Sequence, residues 1–65
     1  MYVKQLVRMA NDYEYICIED EEYNVFAEDE AQFVLKDKRI RGLKVDCFYS
    51  GIRSGKHCVV IIASR

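Results

Sequence analysis

The chain has 65 residues, of which 51% are hydrophobic and 12% aromatic, and this composition excludes an intrinsically disordered segment. The formal net charge of −1 and the sequence pI near 5.7 argue against a protein that lives on nucleic acid, where a pI above about 9 is expected. A chain this short buries only about 60% of the surface that it exposes when unfolded, so we expect a marginal core that a partner helps to stabilise.

The composition offers few positions for a linker. There is no proline and there are only three glycines, which predicts a single compact domain, residues 1–65. The three cysteines, Cys17, Cys47 and Cys58, are odd in number and irregularly spaced, so they do not suggest a disulfide framework. Free thiols are typical of a reducing compartment, and Met1–Lys4 does not begin a secretory signal. We therefore expect a cytoplasmic protein, with no apolar run long enough to span a membrane.

The first predicted element is a half-buried strand over residues 2–9. Val3, Val7 and Met9 would lie on one side of an extended chain, and only Leu6 is out of phase. This strand is expected to open a hairpin.

The hairpin would continue through a turn at Ala10–Asp12, where Asn and Asp favour turn conformations. A second strand is predicted over Tyr13–Ile18, with Ile16 and Ile18 facing inward. The acidic run Glu19–Glu22 is too repulsive for the interior of a strand, and it predicts a second turn.

After a short strand predicted at Tyr23–Phe26, the pattern becomes helical. Asp29 can cap a helix, and the acidic residues before Ala31 match the positive end of a helix dipole. These signals predict a helix over residues 30–39. An alternative is an extended Gln32–Leu35, which would make the protein an all-β barrel.

The last third of the chain predicts two strands. Leu43–Tyr49 alternates apolar and polar side chains, and Ser50–Lys56 carries the Gly and Ser residues of a hairpin loop. Cys58–Ala63 is apolar at every position, which is typical of a central strand covered on both faces. The predicted fold is α+β, with the order β-β-β-α-β-β and a small antiparallel sheet of four or five strands under one helix. The alternative is an all-β, SH3-like small barrel.

The apolar final strand also predicts an assembly. One helix can cover one face of the sheet, so the second face requires strong curling of the sheet, a homodimer or another protein partner.

No catalytic, cofactor or metal signature stands out. Gly51–Lys56 resembles a phosphate-binding loop but is one residue short and leads into a strand instead of a helix. Cys17, Cys47, His57 and Cys58 are suitable zinc ligands by type, but they form no C-x-x-C pair, and we interpret these cysteines as small hydrophobic residues. We expect no metal, no cofactor and no enzymatic activity.

The order of the charges is the most unusual feature. Residues 1–35 hold two basic and nine acidic side chains, a balance of −7, whereas residues 36–65 hold eight basic and two acidic ones, a balance of +6. Such runs often only face water. The two charge runs also suggest two interaction surfaces, one acidic and one basic.

We interpret the protein as a small non-enzymatic binding module, a regulator or inhibitor, that uses an acidic patch to compete for a basic, nucleic-acid-binding surface of another protein. The predicted partner-binding residues are Glu19, Asp20, Glu21, Glu22, Tyr23, Phe26 and Glu28. The alternative is direct nucleic-acid binding through the basic half. The residues predicted for that role are Lys36, Lys38, Arg39, Arg41, Lys44, Arg53 and Lys56.

Overall fold

A computed structural model describes residues 1–65 as a four-stranded open sheet with two short helices. The elements are α1 (Val3–Arg8), β1 (Tyr15–Glu19), β2 (Val25–Glu30), α2 (Ala31–Val34), a 3₁₀ turn (Lys38–Ile40), β3 (Lys44–Arg53) and β4 (Lys56–Ser64). The strand order is β2-β1-β4-β3, with β1 and β4 parallel and the other pairs antiparallel. This mixed sheet agrees with the predicted α+β class, but the predicted antiparallel sheet under one helix was wrong, because β1 and β4 pair in parallel and there are two short helices. Its element order, α-β-β-α-β-β, replaces the predicted β-β-β-α-β-β, and the open sheet replaces the SH3-like barrel.

The predicted first strand, residues 2–9, was wrong because this segment is helical. Val3 and Val7 are both buried and lie one turn apart, and Leu6 packs against the same core. These three positions follow the helical spacing i, i+3 and i+4. The Gln5 side chain accepts a hydrogen bond from the Tyr2 backbone N–H at 2.8 Å, which satisfies a donor at the start of the helix.

The first hairpin is therefore β1–β2, later in the chain than predicted. Ile16 and Ile18 face inward and are buried, as predicted. The turn at Ala10–Asp12 joins α1 to β1 instead of joining two strands. The second strand of the hairpin is not the short Tyr23–Phe26, because β2 extends through the acidic residues 28–30.

The helix predicted over residues 30–39 is only one turn long. It begins at Ala31, one residue after the predicted start, and its helical Gln32–Val34 rules out the extended alternative for Gln32–Leu35. The helix ends early because Asp37 adopts an extended backbone conformation and its side chain accepts a hydrogen bond from the Arg39 backbone N–H at 2.9 Å. This cap begins the separate 3₁₀ turn.

The second hairpin, β3–β4, is longer than predicted. Its loop is reduced to Ser54 and Gly55, whose φ angles of 53° and 74° are typical of a two-residue type I′ turn. Residues 50–53, predicted as part of the loop, belong to β3.

The two faces of the sheet are covered differently. On the helix face, α1, α2 and the chain around the 3₁₀ turn pack over the sheet. The buried residues of this core are Val3, Val7, Ile16, Ile18, Ala27, Ala31, Val34, Ile40, Leu43, Ile61 and Ala63. The open face carries no helix, yet Cys17, Cys58 and Val60 are fully buried there by neighbouring side chains. The predicted central position of the last strand is confirmed, since β4 lies between β1 and β3 and is buried on both faces.

None of the helices has the length and apolar character needed to span a membrane.

Candidate functional site

The loop between β1 and β2, Asp20–Asn24, forms a tightly bonded surface feature that we name the acidic turn. The Asp20 carboxylate accepts hydrogen bonds from the backbone N–H groups of Glu22 and Asn24, at 2.8 and 2.9 Å, and from the Asn24 side chain at 3.0 Å. The Asp20 backbone N–H donates to the Asn24 carbonyl at 2.9 Å. These hydrogen bonds, above all the one from the Asn24 side chain, lower the pKa of Asp20. One ionised carboxylate therefore organises the whole loop.

Tyr23 occupies an unusual conformation within the acidic turn. Its φ is +66°, in the left-handed region that bulky residues avoid, and its N–H donates to the Asp20 carbonyl at 3.1 Å. The side chain is 76% exposed, and Glu21 and Glu22, which precede it in the chain, are exposed as well. The turn thus displays one aromatic residue next to two acidic residues, in a backbone conformation that costs free energy to maintain.

Two of the other predicted partner-binding residues are buried or half-buried and contact basic side chains of the protein itself. Glu19 is only 3% exposed, because it lies on the open face and its carboxylate pairs with the Arg53 guanidinium at 3.3 Å. Phe26 is half-buried, and the Arg65 guanidinium lies 6.0 Å from its ring centroid. The predicted acidic patch is therefore smaller than the sequence suggested.

Glu28 is likewise committed to an internal network on the open face. Its carboxylate accepts hydrogen bonds from the Tyr15 hydroxyl at 3.0 Å and from the Cys17 thiol at 3.5 Å. The Lys56 ammonium lies 5.0 Å from the Tyr15 ring centroid and extends the cover over this face. Burial, together with the hydrogen bond to Glu28, raises the pKa of Cys17 to about 12. A thiol that stays protonated at neutral pH is a poor nucleophile, and Cys17 packs with Cys58 and Val60 on the open face.

Of the seven predicted partner-binding residues, the structure leaves three fully displayed: Glu21, Glu22 and Tyr23. Val25, the first residue of β2, is also 51% exposed, close to them in the chain. Its exposure could not be predicted, because a valine in the predicted strand Tyr23–Phe26 indicates only a strand.

Several predicted nucleic-acid-binding residues are also engaged. Arg53 pairs with Glu19, Lys56 lies over Tyr15, and Arg39 forms a two-pronged ion pair with Asp37, with a shortest distance of 2.6 Å. The remaining members of the set are exposed: Lys36, Lys38, Arg41 and Lys44.

A cationic cleft joins one of these residues to α1. Lys4 and Arg8, which the sequence analysis had placed on a strand, line the cleft opposite Arg41. The other lining residues are Tyr2, Gln5, Ile40 and Gly42. No acidic side chain lines the cleft, so its charge is uncompensated locally.

The four residues considered as zinc ligands are spread over the sheet. Cys17 and Cys58 are buried in the open face, Cys47 is exposed on that face, and His57 is exposed at the other side of β4. No three His, Cys, Asp or Glu side chains are arranged to hold a metal ion.

Comparison of the chain with known protein families, with curated proteins and with solved structures gives no significant match.

Proposed function

We propose that the protein is a non-enzymatic binding module of the cell interior that occupies a basic surface of another protein through its acidic turn. The observation that carries this proposal is the anchoring of the turn by Asp20, which fixes the backbone that displays Tyr23 directly after the exposed Glu21 and Glu22. The three free cysteines, two of them buried, suit a reducing compartment.

The bonded loop would lower the cost of binding. A flexible loop loses conformational entropy when a partner orders it, whereas a loop that is already ordered loses little. Exposed tyrosines are frequent anchors of protein interfaces, because a large rigid ring fills a pocket and its hydroxyl group satisfies a polar atom. The carboxylates of Glu21 and Glu22 would steer the ring towards a positively charged surface and fix its orientation.

The expected partner surface is therefore an apolar pocket rimmed by Lys or Arg side chains. Surfaces of that kind also bind phosphate groups, so a protein that occupies one would act as a regulator or inhibitor of nucleic-acid binding.

The test compares capture of cellular proteins by the immobilised wild-type chain and by two variants, Tyr23→Ala and the pair Glu21→Lys with Glu22→Lys. Tyr13→Ala is the matched control, because Tyr13 has the same 76% exposure and lies outside the acidic turn. The captured protein is expected to be lost with both acidic-turn variants and retained with the control. It should also be released by salt, since charges at a rim are screened. Retention of the same partner by both acidic-turn variants would refute the proposal.

A second candidate function is binding of a polyanion, such as single-stranded nucleic acid, in the cationic cleft. The observation that favours it is the meeting of Lys4, Arg8 and Arg41 without a neutralising acid. The probe is a labelled oligonucleotide titrated at several salt concentrations. Replacing Arg8 and Arg41 by Ala should weaken binding and flatten its salt dependence, whereas Glu21→Lys should leave it unchanged or strengthen it.

A further inference from the structure

The outer edge of β3 is a long and apolar sheet edge. None of its ten residues is buried. Phe48 and Ile52 are 56% and 68% exposed on the helix face, and Tyr49 is exposed on the open face. Protein sheets usually protect an edge by keeping it short, charged or covered, because unpaired backbone groups there can recruit another strand. Between Phe48 and Ile52 this edge carries no charged side chain and no covering segment.

The first half of the edge is already paired. The Leu43 carbonyl accepts a hydrogen bond from the Val3 N–H at 2.9 Å, and the Val45 N–H donates to the Met1 carbonyl at 2.8 Å. The backbone groups of Leu43 and Val45 therefore point away from β4. The N-terminal residues cover the edge up to this point and no further.

The register beyond this point follows from a bulge. Between Val45 and Cys47 the pairing with β4 shifts by one residue, so the outward-pointing positions become even-numbered. They are Phe48, Ser50 and Ile52. Their backbone groups point away from β4 and are free to pair with another strand.

We propose that a second copy of the chain pairs antiparallel with this edge, about a two-fold axis that passes through Ser50. In this register Ser50 faces Ser50 of the second copy, and Phe48 faces Ile52 of the second copy. Every outward-pointing residue then forms a hydrogen-bonded pair. If the second copy slid by two residues in one direction, Ile52 would lie opposite the bulge. If it slid by two residues in the other direction, Phe48 would lie opposite the turn, beyond the end of β3.

The side chains complement one another in the same register. On the helix face, the exposed Phe48 and Ile52 become cross-strand neighbours twice, once on each side of the axis. On the open face, Tyr49 lies opposite Gly51 of the second copy, which has no side chain of its own to meet the ring. Two-fold pairing of this kind is self-complementary and closed, so it yields a dimer instead of a filament.

Charge repulsion does not oppose a two-fold pairing. Asp46 of one copy would lie level with Ser54 in the turn of the other. The β3–β4 turn of the second copy would lie next to the point where Met1–Val3 begin to cover the edge of β3. Each chain carries a net charge of only −1, so the approach of two copies meets little overall repulsion.

This dimer goes beyond the proposed function, because β3 and the acidic turn lie at opposite sides of the sheet. Both acidic turns would stay free at the ends of a continuous eight-stranded sheet. A single strand pair buries less than the roughly 800 Å² per partner of a standard stable interface, so we expect a weak, concentration-dependent dimer.

Disulfide cross-linking tests the register. In a Cys47→Ser background, Ser50→Cys places two thiols opposite each other across the axis, and mild oxidation should yield a covalent dimer on a non-reducing gel. Ile52→Cys is the matched control, because each introduced thiol would face position 48 of the other copy and should not cross-link to itself. An equal mixture of Phe48→Cys and Ile52→Cys chains should cross-link with each other. Equal cross-linking of the Ser50→Cys and Ile52→Cys proteins would overturn the proposal.

Sedimentation equilibrium tests the association itself. The wild-type mass should rise towards twice that of the single chain as the concentration increases, and Ser50→Pro should remain a monomer. The Ser50 N–H points away from β4, so proline at this position removes no hydrogen bond within the sheet. A wild-type chain that stays monomeric up to millimolar concentration would exclude the dimer, whatever the fold of the proline variant.

Discussion

The substitution Val60→Ala tests whether side chains alone, without a helix, bury the open face of the sheet. Val60 is 0% exposed although no helix lies over it. Loss of two methyl groups from a buried site costs about 1.6 kcal/mol, at ~0.8 kcal/mol for each group. The cavity adds little here, because Tyr49 and the flexible Arg53 side chain lie beside Val60 and can move into the space. We expect a total loss of about 2 kcal/mol, a large part of the roughly 3–5 kcal/mol available to so small a core.

Urea denaturation followed by circular dichroism measures this loss. With a slope near 1 kcal/mol per molar urea for a small domain, the midpoint of Val60→Ala should fall by about 2 M. Val25→Ala is the control, because the same two methyl groups are removed from a side chain that is 51% exposed, and its cost should stay within about 0.5 kcal/mol. Equal midpoints for the two variants would show that water reaches Val60 and that the side-chain cover does not exist in solution.

Three further predictions concern titratable and polar groups. Thiol reagents should label the exposed Cys47 rapidly, and the buried Cys17 and Cys58 only after unfolding, so rapid labelling of all three would contradict their burial. Because hydrogen bonds from the Arg39 side chain and backbone, together with the charge of Arg39, lower the pKa of Asp37 to about 2, the contribution of Asp37 to stability should be present above pH 4 and lost as the pH falls towards 2. Denaturation of wild type and Asp37→Asn across this range should show a difference that closes at low pH, and a constant difference would argue against the ion pair. Asp20→Ala should accelerate amide exchange throughout the acidic turn and leave exchange in β4 unchanged, and unaltered exchange in the turn would mean that the carboxylate does not organise it.

The strands of the second hairpin could be predicted because each of their sequence patterns fits only one kind of secondary structure. Cys58–Ala63 is apolar at each position, and only a central strand covered on both faces can bury such a segment. Leu43–Tyr49 alternates over enough residues to predict a strand, but the bulge between Val45 and Cys47 moves Cys47 and Tyr49 to the open face, which the alternation did not predict. The extension of β3 to Arg53 could not be predicted, since Gly51 and Ser54 both favour turns and only the pairing with β4 selects the second.

The N-terminal helix was not predicted because six residues are too few to distinguish the period of a helix from that of a strand. Val3 and Val7 fit both an alternating strand and one face of a helix. Leu6 was the deciding residue, since it fits the helix alone. In the strand pattern, Leu6 is the one residue out of phase.

The sequence predicted where in the chain the candidate site lies, but not which of the predicted residues are exposed there. The acidic run correctly marked a turn, yet Glu19 remains in β1 and faces Arg53, 34 positions further along the chain. Pairing between such distant residues depends on strand order, which the sequence does not specify. The cationic cleft has the same origin, because Lys4 and Arg41 meet only after α1 packs against the segment before β3.

The parallel pairing of β1 with β4 has a consequence for how the chain folds. The two hairpins are local in sequence, but Ile16 pairs with Val59, 43 positions away, and this contact joins them. An isolated two-stranded hairpin is marginally stable in water, so neither half should persist without the other. Closing the long intervening segment costs entropy before any parallel hydrogen bond compensates for it. The joining step should therefore limit the folding rate, and the two halves should gain their structure together in a single kinetic phase.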